Sequence, residues 1–215
     1  MLHLLSAGGV VMFPLLGFSL LAVALILERL YFWFRILKRQ DKVVRQFLTS
    51  YRRNPKSEVL DKKLIPSLQK NADLPVPRIF LAALELEHPN PEDFRLALEC
   101  ASQAELPLLK RFNTVFETII SVAPLLGLLG TVLGLINSFA SLKIGDVGSS
   151  NTTGVTGGIS EALISTATGL VVAMFTLLFA NTFRGLYQRQ RALILEYGGH
   201  LELLYRHRYE QKDNR

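Results

Sequence analysis

Two stretches of this chain, residues 118–142 and 162–183, contain no Lys, Arg, Asp, Glu or His. Each is at least as long as the roughly 20 apolar residues that carry an α-helix across the hydrocarbon core of a bilayer. A third stretch, residues 1–27, lacks Lys, Arg, Asp and Glu, and its apolar core spans residues 10–27. The sequence therefore predicts an all-α integral membrane protein with three transmembrane helices.

Basic residues lie on one side of these three stretches. They follow the first, precede the second and follow the third, whereas Lys143 is the one basic residue between the second and the third. Because basic loops are retained in the cytoplasm, we expect an N-terminus outside the cytoplasm and a cytoplasmic C-terminus. Basic residues beside a span also contact anionic lipid headgroups, which accounts for the net charge of +6 without a nucleic-acid partner. The flanking residues are Arg29, Arg35, Lys38, Arg39, Lys42, Arg45, Lys110, Arg111, Arg184, Arg189 and Arg191.

The spans divide the chain into seven predicted segments. Two of the three membrane helices are expected to continue into the cytoplasm, because the residues after the first and third spans keep a helical pattern. In the region between the first two spans, Asn90 followed by Pro91 is typical of a helix start. The segments are a short extracytoplasmic N-terminus (1–9), transmembrane helix 1 (10–34), a cytoplasmic helical region (35–112), transmembrane helix 2 (113–142), an extracytoplasmic loop (143–157), transmembrane helix 3 (158–183) and a cytoplasmic C-terminal helix and tail (184–215).

Small and hydroxyl-bearing residues mark one face of the second span. Pro124 inside this span removes one helical hydrogen bond and frees a carbonyl one turn earlier. Gly130, Gly134 and Ser138 form a small-xxx-small ridge, which lets helix backbones approach closely in lipid. The residues that recur at spacings of four, three, four and three, and so share one helix face, are Gly127, Thr131, Gly134, Ser138 and Ser141.

The third span repeats the pattern. Glu161 lies at its outer end, directly before the first small residue of the face. We interpret the two faces as the walls of a shared path through the membrane. The face of the third span consists of Ala162, Thr166, Gly169, Ala173, Thr176 and Ala180.

Polar side chains at membrane depth are costly, so they tend to face partner helices or a wet path. A hydroxyl can position water or orient a carboxylate, because it both donates and accepts hydrogen bonds, but it does not hold a proton at accessible pH. Neither uncharged stretch contains an acid, so a proton that crosses here needs an acid from another subunit. The alternative is a passive membrane scaffold, in which small residues only pack helices and hydroxyls bond back to their own backbone.

An intramembrane enzyme is not expected. Hydrolysis at membrane depth needs paired acids, a Ser/His pair or a metal site, and neither uncharged stretch contains such a group. Cys100 is the single cysteine, which excludes an intrachain disulfide and a cysteine-based metal cluster. We therefore expect neither a metal nor a cofactor.

Two segments resemble a known family. They are residues 123–134, APLLGLLGTVLG, and residues 158–170, GISEALISTATGL, with Asn181 beyond them. They are similar to the MotA/TolQ/ExbB proton channel family, most closely to its ExbB branch and next to its TolQ branch. Three spans rather than four argue against a flagellar motor protein, and the tail before the first span is shorter than the N-terminal extension of some ExbB proteins.

The resemblance implies a partner set and a role for each matching residue. Members form a homopentamer around a dimer of a single-span ExbD/TolR-like subunit, which carries the intramembrane aspartate. The assembly lies in the bacterial inner membrane and uses the proton-motive force for mechanical work, either on a TonB-like protein for outer-membrane import or, in the TolQ branch, for envelope maintenance. By position, Thr131 and Thr166 match pore-lining threonines, Glu161 matches the acid near the outer mouth, and Pro124 and Asn181 match family positions.

Overall fold

The computed structural model describes residues 9–53, 58–140 and 152–213. In these ranges the chain is all-α, and α1, α5 and α6 each contain a stretch long and apolar enough to cross a membrane. The predicted fold class is therefore confirmed for the described part of the chain. The helices are α1 (Met12–Arg53), α2 (Glu58–Gln69), α3 (Pro75–Leu84), α4 (Pro91–Leu109), α5 (Asn113–Ala140) and α6 (Thr152–Asp213).

Some predicted features fall outside these ranges. The predicted N-terminal segment up to residue 8, Ser141, Lys143 and most of the predicted extracytoplasmic loop are among them. The assignment of residues 152–157 to that loop differs from the structure, since α6 begins at Thr152. Tertiary packing overrides the loop-like Gly/Thr composition there, because Val155 and Gly158 already contact α5.

The first of two compact units contains the start of α1, all of α5 and the first half of α6, within Met1–Arg29 and Phe112–Phe183. Its hydrophobic core joins all three helices. Val11, directly before α1, and two residues of the first turn of α1 pack against one residue of α5 and one of α6, with two half-buried neighbours. The core consists of Val11, Met12, Leu15, Ala123 and Ala173, flanked by Leu126 and Val172.

The second unit contains the remaining parts of α1 and α6 together with α2, α3 and α4, within Leu30–Arg111 and Arg184–Arg215. Phe94 of α4 stacks on Tyr205 of α6 with ring centroids 3.9 Å apart, and the Tyr205 hydroxyl donates to the Pro89 carbonyl at 2.6 Å. Tyr197 of α6 donates a hydrogen bond to Asp41 of α1. Aromatic stacking and side-chain hydrogen bonds thus join α6 to both α4 and α1 in this unit.

The start of α4 has the predicted capping geometry. The Asn90 side chain accepts a hydrogen bond from the Asp93 amide at 2.8 Å, and Pro91 occupies the first helical position. An amide that would otherwise lack a partner is thereby satisfied, which confirms the predicted helix start. At the other end, α4 stops at Leu109, and Phe112 adopts a positive φ of 67° before α5 begins.

Glu105, a buried acid in the second unit, is expected to make the stability of the fold depend on pH. Burial raises the pKa of the Glu105 carboxyl above its ordinary value, and the Arg78 guanidinium at 3.2 Å opposes this rise. The folded state therefore binds this proton more tightly than the unfolded state. The resulting stabilisation is fully present below the unfolded pKa and is lost as pH rises through the folded pKa.

We expect Glu105→Gln to remove this pH dependence, because the amide is isosteric with the acid and stays uncharged. At about pH 8 the variant should unfold about 2–4 °C above the wild type, equivalent to about 1 kcal/mol for a chain of this length. At about pH 4, near the ordinary pKa of a glutamate, the gain should vanish. Thermal unfolding in detergent at both pH values measures it, and an equal shift at the two values would contradict the assignment.

Candidate functional site

Glycines bring the backbones of α5 and α6 into direct contact. A Cβ atom built on Gly134 would lie 2.7 Å from the Gly158 carbonyl oxygen and 2.9 Å from the Ala162 Cβ. A Cβ on Gly169 would similarly meet the Ala123 carbonyl oxygen, with the Gly127 Cα at 3.2 Å. These separations leave no space for a side chain, so the small residues allow a close helix–helix approach of the kind found in lipid.

Hydroxyl groups connect the same two helices. The Thr166 hydroxyl donates to the Gly127 carbonyl at 2.9 Å. The Ser138 hydroxyl, on α5, donates to the Val155 carbonyl of α6 at 3.2 Å and to the Gly134 carbonyl of its own helix at 2.9 Å. The interface therefore has polar cross-links between backbone and side chain as well as close packing.

The two threonines that the resemblance assigns to the pore lie at the margins of this interface. Thr131 and Thr166 are each half-buried, whereas the neighbouring Gly130 and Ser165 are buried. The Thr131 hydroxyl donates to the Leu128 carbonyl of its own helix at 2.6 Å. Partial exposure leaves both side chains accessible to a further helix, and both hydroxyls keep their acceptor lone pairs available.

Glu161 lies where α6 meets the start of α1. Its side chain is half-buried and packs against the backbone of Gly9, at which a built Cβ would be 2.7 Å from the Glu161 Cδ. In the described ranges no residue forms a hydrogen bond or an ion pair with the carboxylate. Its position is therefore determined by packing and not by a polar partner within those ranges.

The remaining predicted residues take different environments. Ala173 and Thr176 are buried, and the Thr176 hydroxyl donates to the Val172 carbonyl of its own helix at 2.7 Å. Pro124 is half-buried inside α5, and Asn181 is exposed on α6. The structure thus brings Ala173 and Thr176 into the packed face, but leaves Asn181 outside it.

The predicted helix faces leave out three residues of this region. Ser165 is fully buried, donates to the Ala162 carbonyl at 2.9 Å and occupies the space beside Gly130. Gly158 and Gly9 approach neighbouring backbone or side-chain atoms just as closely. For Ser165 a signal was available, since it continues the spacing of Gly158, Ala162 and Gly169 at four, three and four residues.

The outward surfaces of α5 and α6 are apolar. Large hydrophobic side chains are exposed along both helices, which is expected where lipid or another subunit covers the surface. Among the described residues there is no group of three or more His, Cys, Asp or Glu that could hold a metal ion. The exposed side chains include Leu125, Leu128, Val132, Ile136, Leu163, Leu170, Met174, Phe175 and Leu178.

Comparison with known proteins gives a consistent set of similarities. A family model described as the MotA/TolQ/ExbB proton channel family matches residues 71–195. A biopolymer transport protein of Synechocystis sp. named as ExbB-like 3 is 60% identical over 209 residues, which cover 97% of each chain. The ExbB-like 1 protein of the same organism is 45% identical over 93% of this chain and 76% of its own. The biopolymer transport protein ExbB of Xanthomonas campestris is 41% identical over 87 residues, 40% of this chain and 34% of its own.

Proposed function

This chain belongs to the MotA/TolQ/ExbB proton channel family, and from that premise we propose that it is the channel subunit of a stator that converts proton-motive force into mechanical work. It is a multi-pass membrane protein, and it acts in the bacterial inner membrane as a homopentamer. A single-span ExbD/TolR-like partner carries the intramembrane aspartate, and a TonB-like protein receives the work for outer-membrane import.

The observation that carries this proposal is a polar face without a titratable group. Thr131 and Thr166 offer partly exposed hydroxyls at membrane depth, while residues 118–142 and 162–183 contain no acid, base or histidine. Because each hydroxyl donates its proton to a backbone carbonyl, its free lone pairs can accept a hydrogen bond from a protonated acid or from water, but the hydroxyl does not carry the transported proton itself. The acid therefore comes from the partner, which passes a ring of equivalent hydroxyls as the assembly moves.

The energy available is sufficient for such steps. One elementary charge that crosses 100 mV releases about 2.3 kcal/mol. Inter-helix hydrogen bonds in membranes, such as the one from Thr166 to Gly127, average about 0.6 kcal/mol. The energy released by one proton therefore exceeds the energy of one such hydrogen bond, and several protons drive a stepwise rearrangement of helix contacts.

A second function is a passive scaffold, and one observation favours it. The hydroxyls of Thr131, Ser138, Thr166 and Thr176 each donate to a backbone carbonyl, as they would if they served packing alone. Within the proton-channel family, envelope maintenance of the TolQ type is the alternative to TonB-dependent import. Both import and envelope maintenance require proton flux, whereas the scaffold does not.

Reconstitution of the chain with and without its partner tests the proposal. The chain is purified from its native membrane, the co-purifying single-span protein is identified by mass spectrometry, and proton flux is measured in liposomes. We expect flux from the complex and little from this chain alone, because the chain supplies no intramembrane acid. Rapid, selective flux through the chain alone would contradict the mechanism, and a complex without flux would favour the scaffold.

The native cysteine tests the orientation. Cys100 is exposed on α4, in the region that the positive-inside rule assigns to the cytoplasm. A membrane-impermeant maleimide should therefore label it in permeabilised spheroplasts but not in intact ones, while Cys100→Ser reports the background. Equal labelling of intact and permeabilised spheroplasts would reverse the proposed orientation.

A further inference from the structure

We propose that Gly9 is a positioning residue for Glu161, so that the start of α1 sets where the carboxylate lies at the N-terminal end of the α6 span. The inference rests on the proposed function and on the family resemblance, by which Glu161 matches the acid near the outer mouth of the channel. It assigns a role to the first membrane helix, whose apolar composition alone suggests a lipid-facing anchor.

The close approach of the two residues is the first argument. A Cβ atom built on Gly9 would lie 2.7 Å from the Cδ and 3.2 Å from the Cγ of Glu161, and nearer still to its Oε1. Real Cβ atoms essentially never approach other atoms to less than 3.0 Å. The Glu161 side chain therefore occupies the space that any other L-residue at position 9 would need.

The backbone conformation is the second argument. Gly9 has a φ of +70°, in the left-handed region that residues with a Cβ rarely adopt. The Met12 amide donates to the Gly9 carbonyl at 3.1 Å, so the turn that begins at Gly9 leads directly into α1. This glycine thus determines both the direction in which α1 starts and the surface that Glu161 packs against.

The contact belongs to an anchored part of the chain. Val11 is 5% exposed and Leu15 is fully buried, and both belong to the core shared with α5 and α6. A Cβ built on Gly130 would lie 3.7 Å from the Val11 Cβ, so α5 supports the same turn. Because the turn is packed against both helices, it cannot retreat from Glu161 without disturbing this core.

Steric contact then has a functional consequence. In the described ranges no polar group holds the Glu161 carboxylate in place. A larger residue at position 9, or loss of the contact with Gly9, therefore changes where the carboxylate lies. A proton-accepting group that is displaced by about 1 Å loses much of its efficiency. Gly9 acts through Glu161 and has no contact with the proton itself.

A double-mutant cycle tests this role by proton flux through the purified complex in liposomes. Gly9→Ala should lower the flux about tenfold, equivalent to about 1.4 kcal/mol on the barrier. Gly17→Ala is the matched control, because a Cβ there meets nothing within 4 Å.

In the background of Glu161→Asp, whose side chain is one methylene shorter, Gly9→Ala should cause little further loss. Strain from the positive φ would persist in both backgrounds, so the cycle separates it from the clash.

A cross-link tests the geometry without any transport assay. Gly9→Cys with Glu161→Cys, in a Cys100→Ser chain, should form a disulfide in native membranes. A Cβ built on Gly9 lies 3.2 Å from the Glu161 Cγ, which is one bond from the Glu161 Cβ, so the two Cβ atoms are within reach of the roughly 3.5–4.5 Å that a disulfide requires. The pair Gly17→Cys with Glu161→Cys is the control and should not cross-link.

The outcomes separate this inference from the function on which it rests. The positioning role is overturned if Gly9→Ala and Gly17→Ala give equal flux. It is also overturned if Gly9→Ala causes the same loss of flux with Glu161 and with Glu161→Asp. In either case, proton flux through the wild-type complex still supports the proposed function. A wild-type complex that moves no protons would overturn the proposed function, whatever the cross-link reports.

Discussion

Gly158→Ala should destabilise the packed pair of α5 and α6 far more than the same change at the adjacent Gly157. A Cβ at Gly158 would overlap the Ser138 hydroxyl and would lie 2.7 Å from the Gly134 carbonyl oxygen and 3.0 Å from the Ser138 amide nitrogen. Two of these three atoms belong to helix backbone, so they cannot move aside as the end of a flexible side chain would. Overpacking of this kind typically costs about 1–3 kcal/mol.

Gly157→Ala is the matched control for Gly158→Ala. A Cβ at Gly157 meets nothing within 4 Å, so Gly157→Ala should gain up to about 1 kcal/mol from helix propensity alone. We expect the free energies of unfolding of the two variants to differ by about 2–3 kcal/mol in mixed detergent micelles. Equal stabilities would mean that α5 and α6 do not pack through Gly158 in the membrane.

Thr166→Val should abolish most of the proton flux through the complex while the complex still assembles. Valine keeps the shape of threonine, and loss of the hydrogen bond to the Gly127 carbonyl costs only about 0.6 kcal/mol of packing energy in a membrane. In the proposed mechanism this hydroxyl also accepts a hydrogen bond from the partner's protonated acid, so its loss should slow transport. We therefore expect flux in liposomes to fall at least about tenfold, equivalent to about 1.4 kcal/mol on the barrier.

Two further variants serve as controls for Thr166→Val. Thr168→Val removes a hydroxyl two residues away that donates only to the Ile164 carbonyl of its own helix, at 2.8 Å, so flux should stay near the wild-type level. Thr166→Ser keeps the hydroxyl and should retain most of the flux. If Thr166→Val assembles and transports as well as Thr168→Val does, the scaffold function is favoured and the hydroxyl has no part in transport.

The sequence located the packed faces of α5 and α6 to within one residue. Spacings of three and four placed Thr131 and Thr166 on the same faces as their small neighbours, but the structure buries Gly130 and Ser165 and leaves the two threonines half-buried. A helix has 3.6 residues per turn, so neighbours one residue apart are both near the face and spacing alone does not choose between them. The choice depends on which atoms of the opposite helix are in contact.

The sequence predicted local structure correctly where it depends on only a few neighbouring residues. Asn90, Pro91 and the Asp93 amide form the predicted start of α4, because capping involves only adjacent backbone and side-chain groups. The first turn of α6 was missed for the opposite reason. Thr152, Gly157 and Gly158 have loop-like composition, and contact with α5 makes this stretch helical.

The amino-acid sequence by itself determined the number of spans, the helical class and the small-residue faces, since each follows from hydropathy and period within one helix. Only the tertiary structure decided that those faces meet each other, that the Thr166 hydroxyl reaches the Gly127 carbonyl, and that Gly9 packs against Glu161. Contacts between residues far apart in the chain depend on the exact rotation and offset of whole helices. No local pattern of residues encodes that rotation and offset.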